Sequence, residues 1–319
     1  MKTKRETIKV GLAQMAPVWL DRRKTIAKIC EYVRQASKAC CDLVVFGEGL
    51  LPGYPFWVEH TEGARFESDM QKELYAHYVD QAVNIKQDHL APIQDACRQG
   101  NINIITGCIE AANDRSGHSV YCTLLHIDRQ GDLKNAHRKL VPTYEERLVW
   151  AQGDGHGLRT FNDGAFTIGG LNCWENWMPL ARSALYAQGE DLHVAIWPGN
   201  VRNTEEITRF IARESRSFVI SVSGLLKKAD VPSSTPYYNE LMKSLPETMA
   251  NGGSCICGPN GNWVLTPQPN IEQLYVGELD HREVRKERQN FDPSGHYSRP
   301  DVTRLTVDRT RQSTVSFED

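Results

Sequence analysis

The sequence predicts a layered α/β fold. Three observations lead there. Short apolar runs of strand length alternate with segments of helical period along most of the 319 residues. Strand-like runs stop at Gly/Pro punctuation, as "DLVVFGE" does before "GLLPGYP". Turn-rich pieces such as "AANDRSG" and "RQGD" join other runs as hairpins. No linker, low-complexity segment or clear repeat divides the chain. One domain over residues 1–285 is expected, with a C-terminal extension over 286–319.

Taken in order, "IKVGLAQM" reads as a buried strand. "DRRKTIAKICEYVRQASKAC" has helical period, with Ile26, Ile29, Cys30 and Val33 on one face. "DLVVFGE" is the next strand, and a polar helical region covers 68–99. "INIITGCIE" and "SVYCTLLHID" are strands, followed by the "HRKL" segment. Strand "FTIGGLNC", helix "PLARSALYAQG" and strand "DLHVAIWPG" then alternate with helix "TEEITRFIARESRSF" and strand "VISVSGLL". A hairpin over "GGSCICGPNGNWVLTP", the strand "EQLYVGELD" and a charged helix "HREVRKERQ" complete the pattern.

Composition excludes several classes. Hydrophobic residues are 40% and charged residues 24%, ordinary for a globular domain. A net charge of -3 offers no basic field for nucleic acid and no polybasic membrane patch. The start "MKTKRETIKVGLAQM" lacks the apolar core of a secretory leader, and no run has a membrane span's length. The 9 cysteines are odd in number and irregularly spaced, which predicts reduced thiols and a cytoplasmic protein. C-x-x-C and H-E-x-x-H are both absent, so no metal is expected. "GDGHG" has neither the strand nor the spacing of a dinucleotide loop, so no cofactor is expected.

Three residues stand where a site would assemble. Glu48 ends "LVVFGE", Lys139 sits where "HRKL" gives way to a turn, and Cys173 ends "FTIGGLNC". Singly, they read as a solvated carboxylate, a surface lysine and a core cysteine. Together they sit at strand ends, where sites gather in layered α/β folds. Their chemistry is coherent. A thiol with an ordinary pKa of about 8.5 is a weak nucleophile until a base takes its proton. A buried carboxylate can be that base, and an ammonium can stabilise charge developing on a substrate. His137, two residues before Lys139, reads as structural. Asn172 and Asn176 read as turn formers able to orient the elbow, and "WPGNV" as part of the same rim. Trp177 reads as a packing residue between layers.

Four collinear segments resemble the nitrilases of the carbon–nitrogen hydrolase superfamily. "VVFGEGLLPGYPFW" carries Glu48, "HRKLVPTYEERLVWAQGDG" carries Lys139 and "LNCWENWMPLAR" carries Cys173. "DPSGHYSRPDV" resembles a segment typical of nitrilases proper. The resemblance implies a four-layer αββα sandwich in a single domain with a C-terminal extension. It also implies a homodimer or larger homo-oligomer. No long tail that could support spiral assembly is evident after "RPDVTRLTVDRT", but at least a dimer is expected, because the interface the resemblance implies lies in the fold and not in the tail. The resemblance selects Glu146 over its neighbour Glu145 as a second site carboxylate, orienting the water or the Lys–substrate contact. It implies Tyr54 and Trp174 as pocket walls.

The activity so implied is hydrolysis of a small-molecule nitrile, with water as co-substrate, to the carboxylic acid and ammonia. It would run through a thioimidate and a thioester on Cys173. The start of the following helix is expected to favour the thiolate. Amidases, carbamoylases and cyanide-degrading enzymes would share Glu48, Lys139 and Cys173. An assembly protein on the same fold would be expected to have lost one of them. A thiol redox sensor would need a resolving cysteine nearby in sequence.

Overall fold

The computed structural model describes residues 5–315 and 318. The charged start that argues against a leader includes residues 1–4, and the end of the expected extension includes 316, 317 and 319. Both groups lie outside the described residues. The chain runs through β1 (Thr7–Gln14), α1 (Arg22–Lys38), β2 (Leu43–Phe46), α2 (Trp57–His60), α3 (Asp69–Gln81) and α4 (Ala91–Gly100). Then follow β3 (Asn103–Ala111), β4 (Val120–Ile127), β5 (Leu133–Arg138), β6 (Phe161–Asp163) and β7 (Phe166–Asn172). Next are α5 (Pro179–Tyr186), β8 (Leu192–Trp197), α6 (Val201–Ser215), β9 (Phe218–Ser223) and β10 (Leu225–Lys227). The last elements are α7 (Tyr238–Ser244), β11 (Thr248–Cys257), β12 (Trp263–Pro269), β13 (Gln273–Asp280) and α8 (His281–Arg288).

The strands form two mixed sheets, ordered β13-β1-β2-β3-β4-β5 and β10-β11-β9-β8-β7-β6, with β12 beside β11. In the first, β1, β2 and β3 are parallel; in the second, β7, β8 and β9 are. Their inner faces meet through Val10, Leu12, Val45, Ile105 and Leu124 on one side and Ile168, Val194, Ile196 and Ile220 on the other. Such strands are apolar on both faces because helices cover the outside. Helices α1 and α4 pack on the first sheet through Ile26, Ile29, Val33, Ile93 and Cys97. Helices α5 and α6 lie on the second through Leu185, Ile207 and Ile211. The architecture is the four-layer αββα sandwich. Local signals set the helix starts: Asp21 accepts from the Lys24 N–H at 3.0 Å, and Pro179 opens α5.

The polar helical region over 68–99 departs from a continuous helix. It comprises α3, a 3-10 turn at Ile85–Gln87, and α4. Between them Val83 leaves the helix to pair with the edge of β3. Its N–H donates to Ile109 O at 2.6 Å, and its carbonyl accepts from Ala111 N–H at 2.8 Å. A tertiary pairing overrides local helix propensity there. Helix α8 crosses residue 285, and the chain after it turns back onto the body. Arg311 and Gln312 bond Asp154, and Arg309 O lies 3.2 Å from His156 Nδ1.

The turn carrying Glu48 is packed directly against β3. A Cβ on Gly107 would lie 2.5 Å from Gly49 N and 2.6 Å from Glu48 Cα. Only a residue without a side chain lets the two backbones approach so closely. Gly107→Ala is expected to cost about 1–3 kcal/mol, since both neighbours are backbone and cannot swing aside. Urea unfolding beside the parent protein checks this, and an unchanged midpoint would contradict the packing argument.

Candidate active site

At one end of the sandwich the strands deliver Glu48, Lys139 and Cys173 to one place. Glu48 follows β2, Lys139 follows β5 and Cys173 follows β7; they are 2%, 1% and 3% exposed. Neither the solvated reading of Glu48 nor the surface reading of Lys139 survives that burial. The Lys139 ammonium lies 2.9 Å from Glu48 Oε1 and 2.7 Å from Glu146 Oε2. Glu146 sits in a 3-10 turn, Tyr144–Leu148, where it also accepts from Thr143 N–H at 2.6 Å. Tyr54 Oη donates to Glu146 Oε1 at 2.9 Å and stands 3.4 Å from Glu145. Donor atoms of Glu48, Glu146 and Cys173 lie within 4.8 Å of one another. Such a triplet resembles a metal cage, but the Lys139 ammonium already supplies a cation to both carboxylates.

Backbone bonds hold these elements. Glu48 N–H donates to Trp197 O at 3.1 Å, joining the first sheet to the end of β8 in the second. Lys139 N–H donates to Cys122 O at 2.8 Å, and Gly153 N–H to Lys139 O at 2.8 Å. Cys173 has φ +42°, the left-handed region that costs a side-chain-bearing residue about 1–3 kcal/mol. Its turn, Cys173–Trp177, is a 3-10 element pinned from both sides. Asn176 Nδ2 donates to Cys173 O at 2.8 Å, and Asn176 Oδ1 lies 2.8 Å from His193 Nε2. Buried Glu175 accepts from Asn172 N–H at 2.9 Å and Leu140 N–H at 2.6 Å, and faces His137 Nε2 at 3.1 Å. One carboxylate thereby ties the segment bearing Lys139 to the turn bearing Cys173.

Electrostatics favour a neutral resting thiol. Burial pushes Cys173 well above the usual thiol range, and Glu48 adds to this; Lys139 and the Trp174 N–H oppose it without prevailing. The expected pull toward the thiolate is present in the Trp174 N–H, but it does not prevail. The element after Cys173 is a short 3-10 turn in a buried site, and desolvation outweighs its N–H groups. Burial likewise pushes Glu48 up to about 7, against the pull of Lys139. For Lys139 burial disfavours the charge, but Glu48, Cys173 and Glu146 outweigh it and hold the ammonium well above its ordinary range. The arrangement is a protonated thiol beside a carboxyl poised to exchange a proton near neutral pH.

The cluster opens into a cavity of about 470 Å³ lined by Tyr54, Phe56, Glu146, Cys173, Trp174, Trp177, Pro198, Asn200 and Met249 among others. Trp174 is 53% exposed and tilts toward Trp177, ring centroids 6.3 Å apart. Trp177 departs from the interlayer packing expected of it. It is 44% exposed and lines this cavity, because the tight 3-10 turn points it outward. Among the described residues, none from "DPSGHYSRPDV" lines the cavity; Pro293, Ser294, Ser298 and Pro300 border a groove along α5 instead. Sequence reasoning missed Cys122, Glu175 and His193. Cys122 and His193 read as strand interior, while the capping spacing of Asn172 and Glu175 was a usable signal for the latter.

Comparison with known proteins shows the family. Residues 9–289 match the family described as Carbon-nitrogen hydrolase. The chain is 34% identical over 313 residues to "Nitrilase 2" from an unknown prokaryotic organism, covering 98% of this chain and 96% of that one. It is 31% identical to "Nitrilase 1" of Arabidopsis thaliana, covering 98% and 90%. A crystal structure of a carbon–nitrogen hydrolase from Helicobacter pylori G27 superposes with a TM-score of 0.70 at 18% identity, covering 92% of this chain and 96% of that one. The chain belongs to the carbon–nitrogen hydrolase family.

Glu175→Gln is expected to destabilise the protein by about 1–3 kcal/mol, because the new amide turns an N–H toward the Asn172 or Leu140 N–H. Chemical denaturation checks it; parent-like stability would remove Glu175 from the role of tie.

Proposed function

We propose that the chain is a nitrilase, converting an organic nitrile and two waters into a carboxylic acid and ammonia. The observation that carries this is the buried cluster itself. A neutral Cys173 thiol stands beside a Glu48 carboxyl pushed to about 7, with Lys139 between the two acids. Full-length similarity to proteins named nitrilases supports the choice of nitrile over amide.

Glu48 takes the Cys173 proton, sulfur bonds to the nitrile carbon, and the proton passes to nitrogen, giving a thioimidate. A water adds to that carbon, Glu48 relaying its proton to nitrogen. Lys139 and the Trp174 N–H stabilise the tetrahedral intermediate. The hydroxyl proton passes to nitrogen as the C–N bond breaks, ammonia leaves and a thioester remains. A second water, again deprotonated by Glu48, releases the acid and returns the proton to sulfur. Glu146 holds Lys139 and Tyr54 in place; Tyr54 and Trp174 form walls for the organic group. We take residues 286–319 as an extension of a single catalytic domain. We take the working form as a homodimer or larger, on the strength of Leu180 and Phe210, 67% and 50% exposed on α5 and α6. Nine free thiols support a reducing, cytoplasmic setting. Among the described residues no helix is long and apolar enough to cross a membrane.

The test is ammonia release from aliphatic, arylacetic and aromatic nitriles, cyanide and the matching amides. Release from nitriles is expected, falling by roughly 10⁴-fold or more in Cys173→Ala and Cys173→Ser. Turnover of amides alone would replace the nitrilase reading with an amidase one. The nitrilase rate should also climb about tenfold per pH unit on the acid side and level off above about 7, because Glu48 accepts a proton only as the carboxylate. A flat profile between pH 5 and 8, an interval chosen to span about one to two units around 7, would remove Glu48 as the base.

A further inference from the structure

Resting on the nitrilase reading, we infer that Cys122 is a positioning residue for the base: its thiol and the Lys139 ammonium together hold one oxygen of Glu48 and leave the other as the proton acceptor. Cys122 lies on β4 with no exposed surface. Its Sγ is 3.5 Å from Glu48 Oε1, the same oxygen that Lys139 Nζ approaches at 2.9 Å. Glu48 Oε2 is buried and has no hydrogen-bond partner. The two oxygens are thus unequal: one is held by two donors, and the other keeps its lone pairs for a proton. The same residue touches the rest of the site. Its carbonyl accepts the Lys139 N–H at 2.8 Å, and its Sγ lies 4.0 Å from Oδ1 of Asn172, the residue before the nucleophile.

A thiol suits this place. Burial, with Glu48 next, pushes Cys122 well above the usual thiol range, so it stays protonated and acts toward a carboxylate only as a donor. It is also a weak donor. A strong second donor at Oε1 would stabilise the carboxylate and drain its basicity, whereas S–H orients the group while lowering its proton affinity by only about half to one pH unit. Several other groups face Glu48: Lys139 after β5, Glu146 from its 3-10 turn, Cys173 and Glu175 from the elbow, Tyr54 from the loop after β2, and Tyr78 from α3. All of them remain in a Cys122 variant.

The experiment follows alkylation of Cys173 by iodoacetamide against pH, read on the Cys173 peptide by mass spectrometry, alongside nitrile hydrolysis. The parent protein is compared with Cys122→Ala, Cys122→Val and Cys122→Ser. Because Glu48 takes the thiol proton, its titration sets the Cys173 profile, and loss of the donor is expected to raise that midpoint by roughly half to one pH unit in Cys122→Ala and Cys122→Val. Reactivity would then fall about 3- to 10-fold at pH 6 and converge on the parent above pH 8, pH values about one unit either side of 7. Cys122→Ser, which keeps a donor, should recover part of the shift. An unchanged midpoint in either foldable donorless variant overturns the inference, even if the rate drops uniformly. So does an equal shift in Cys122→Ser, which would mark packing and not donation. The two readings separate cleanly. A parent protein silent on nitriles whose alkylation midpoint still shifts would overturn the nitrilase reading and support Cys122. Normal nitrile turnover without the shift would do the reverse.

Discussion

One ammonium between two buried acids organises this end of the molecule. Lys139 cannot be withdrawn from water alone, nor can Glu48 or Glu146; each is tolerable because the others are there. A single positive charge does not fully compensate two carboxylates, and the residual deficit falls on the member with fewer hydrogen bonds. Glu146 has Thr143 and Tyr54 as additional donors, while Glu48 keeps an oxygen with none. That difference separates a carboxylate anchored in place from one available for proton exchange.

Cys173, the proposed nucleophile, is held in a different way. Its backbone sits in an unfavourable conformation, and the restraint comes from groups that never reach the cavity. Glu190, His193 and Asn176 form a buried line ending at the Cys173 carbonyl, with His193 Nδ1 3.0 Å from Glu190 Oε1. Asn176 uses its amide N–H groups on Leu171 and Cys173, so its oxygen faces His193 and accepts from the Nε2–H. Rigid support of this kind keeps a strained residue from relaxing when the cavity is empty.

Much of this was readable from the chain. The strand ends bearing Glu48 and Cys173 were marked by apolar runs closing on Gly, Pro or Asn, because such punctuation is local chemistry. The choice of Glu146 over Glu145 was not local. Both precede Arg147 in a short turn; Glu146 is the one that meets the Lys139 ammonium and the Thr143 N–H, and Tyr54, from the loop after β2, lies nearer to it than to Glu145. Cys122 was indistinguishable from the other small apolar residues of β4, since inward-facing strand positions look alike whether they meet Leu or Glu. Trp177 was misplaced because the rotation of a five-residue 3-10 turn has too little periodicity to show which side faces out.

The bond from Glu48 N–H to Trp197 O has a mechanical meaning. The proposed base follows a strand of one sheet, yet its own amide is stitched to the other, the sheet whose β7 leads into Cys173. The spacing between base and nucleophile is therefore gauged by how the two sheets seat on each other. Interdigitated apolar side chains make that seating stiff, because packed interiors resist compression and shear. A sandwich whose halves slid by a fraction of an ångström would misalign proton donor and acceptor before any strand came apart. The hydrophobic interior thus serves as a calibrated spacer for chemistry it never touches.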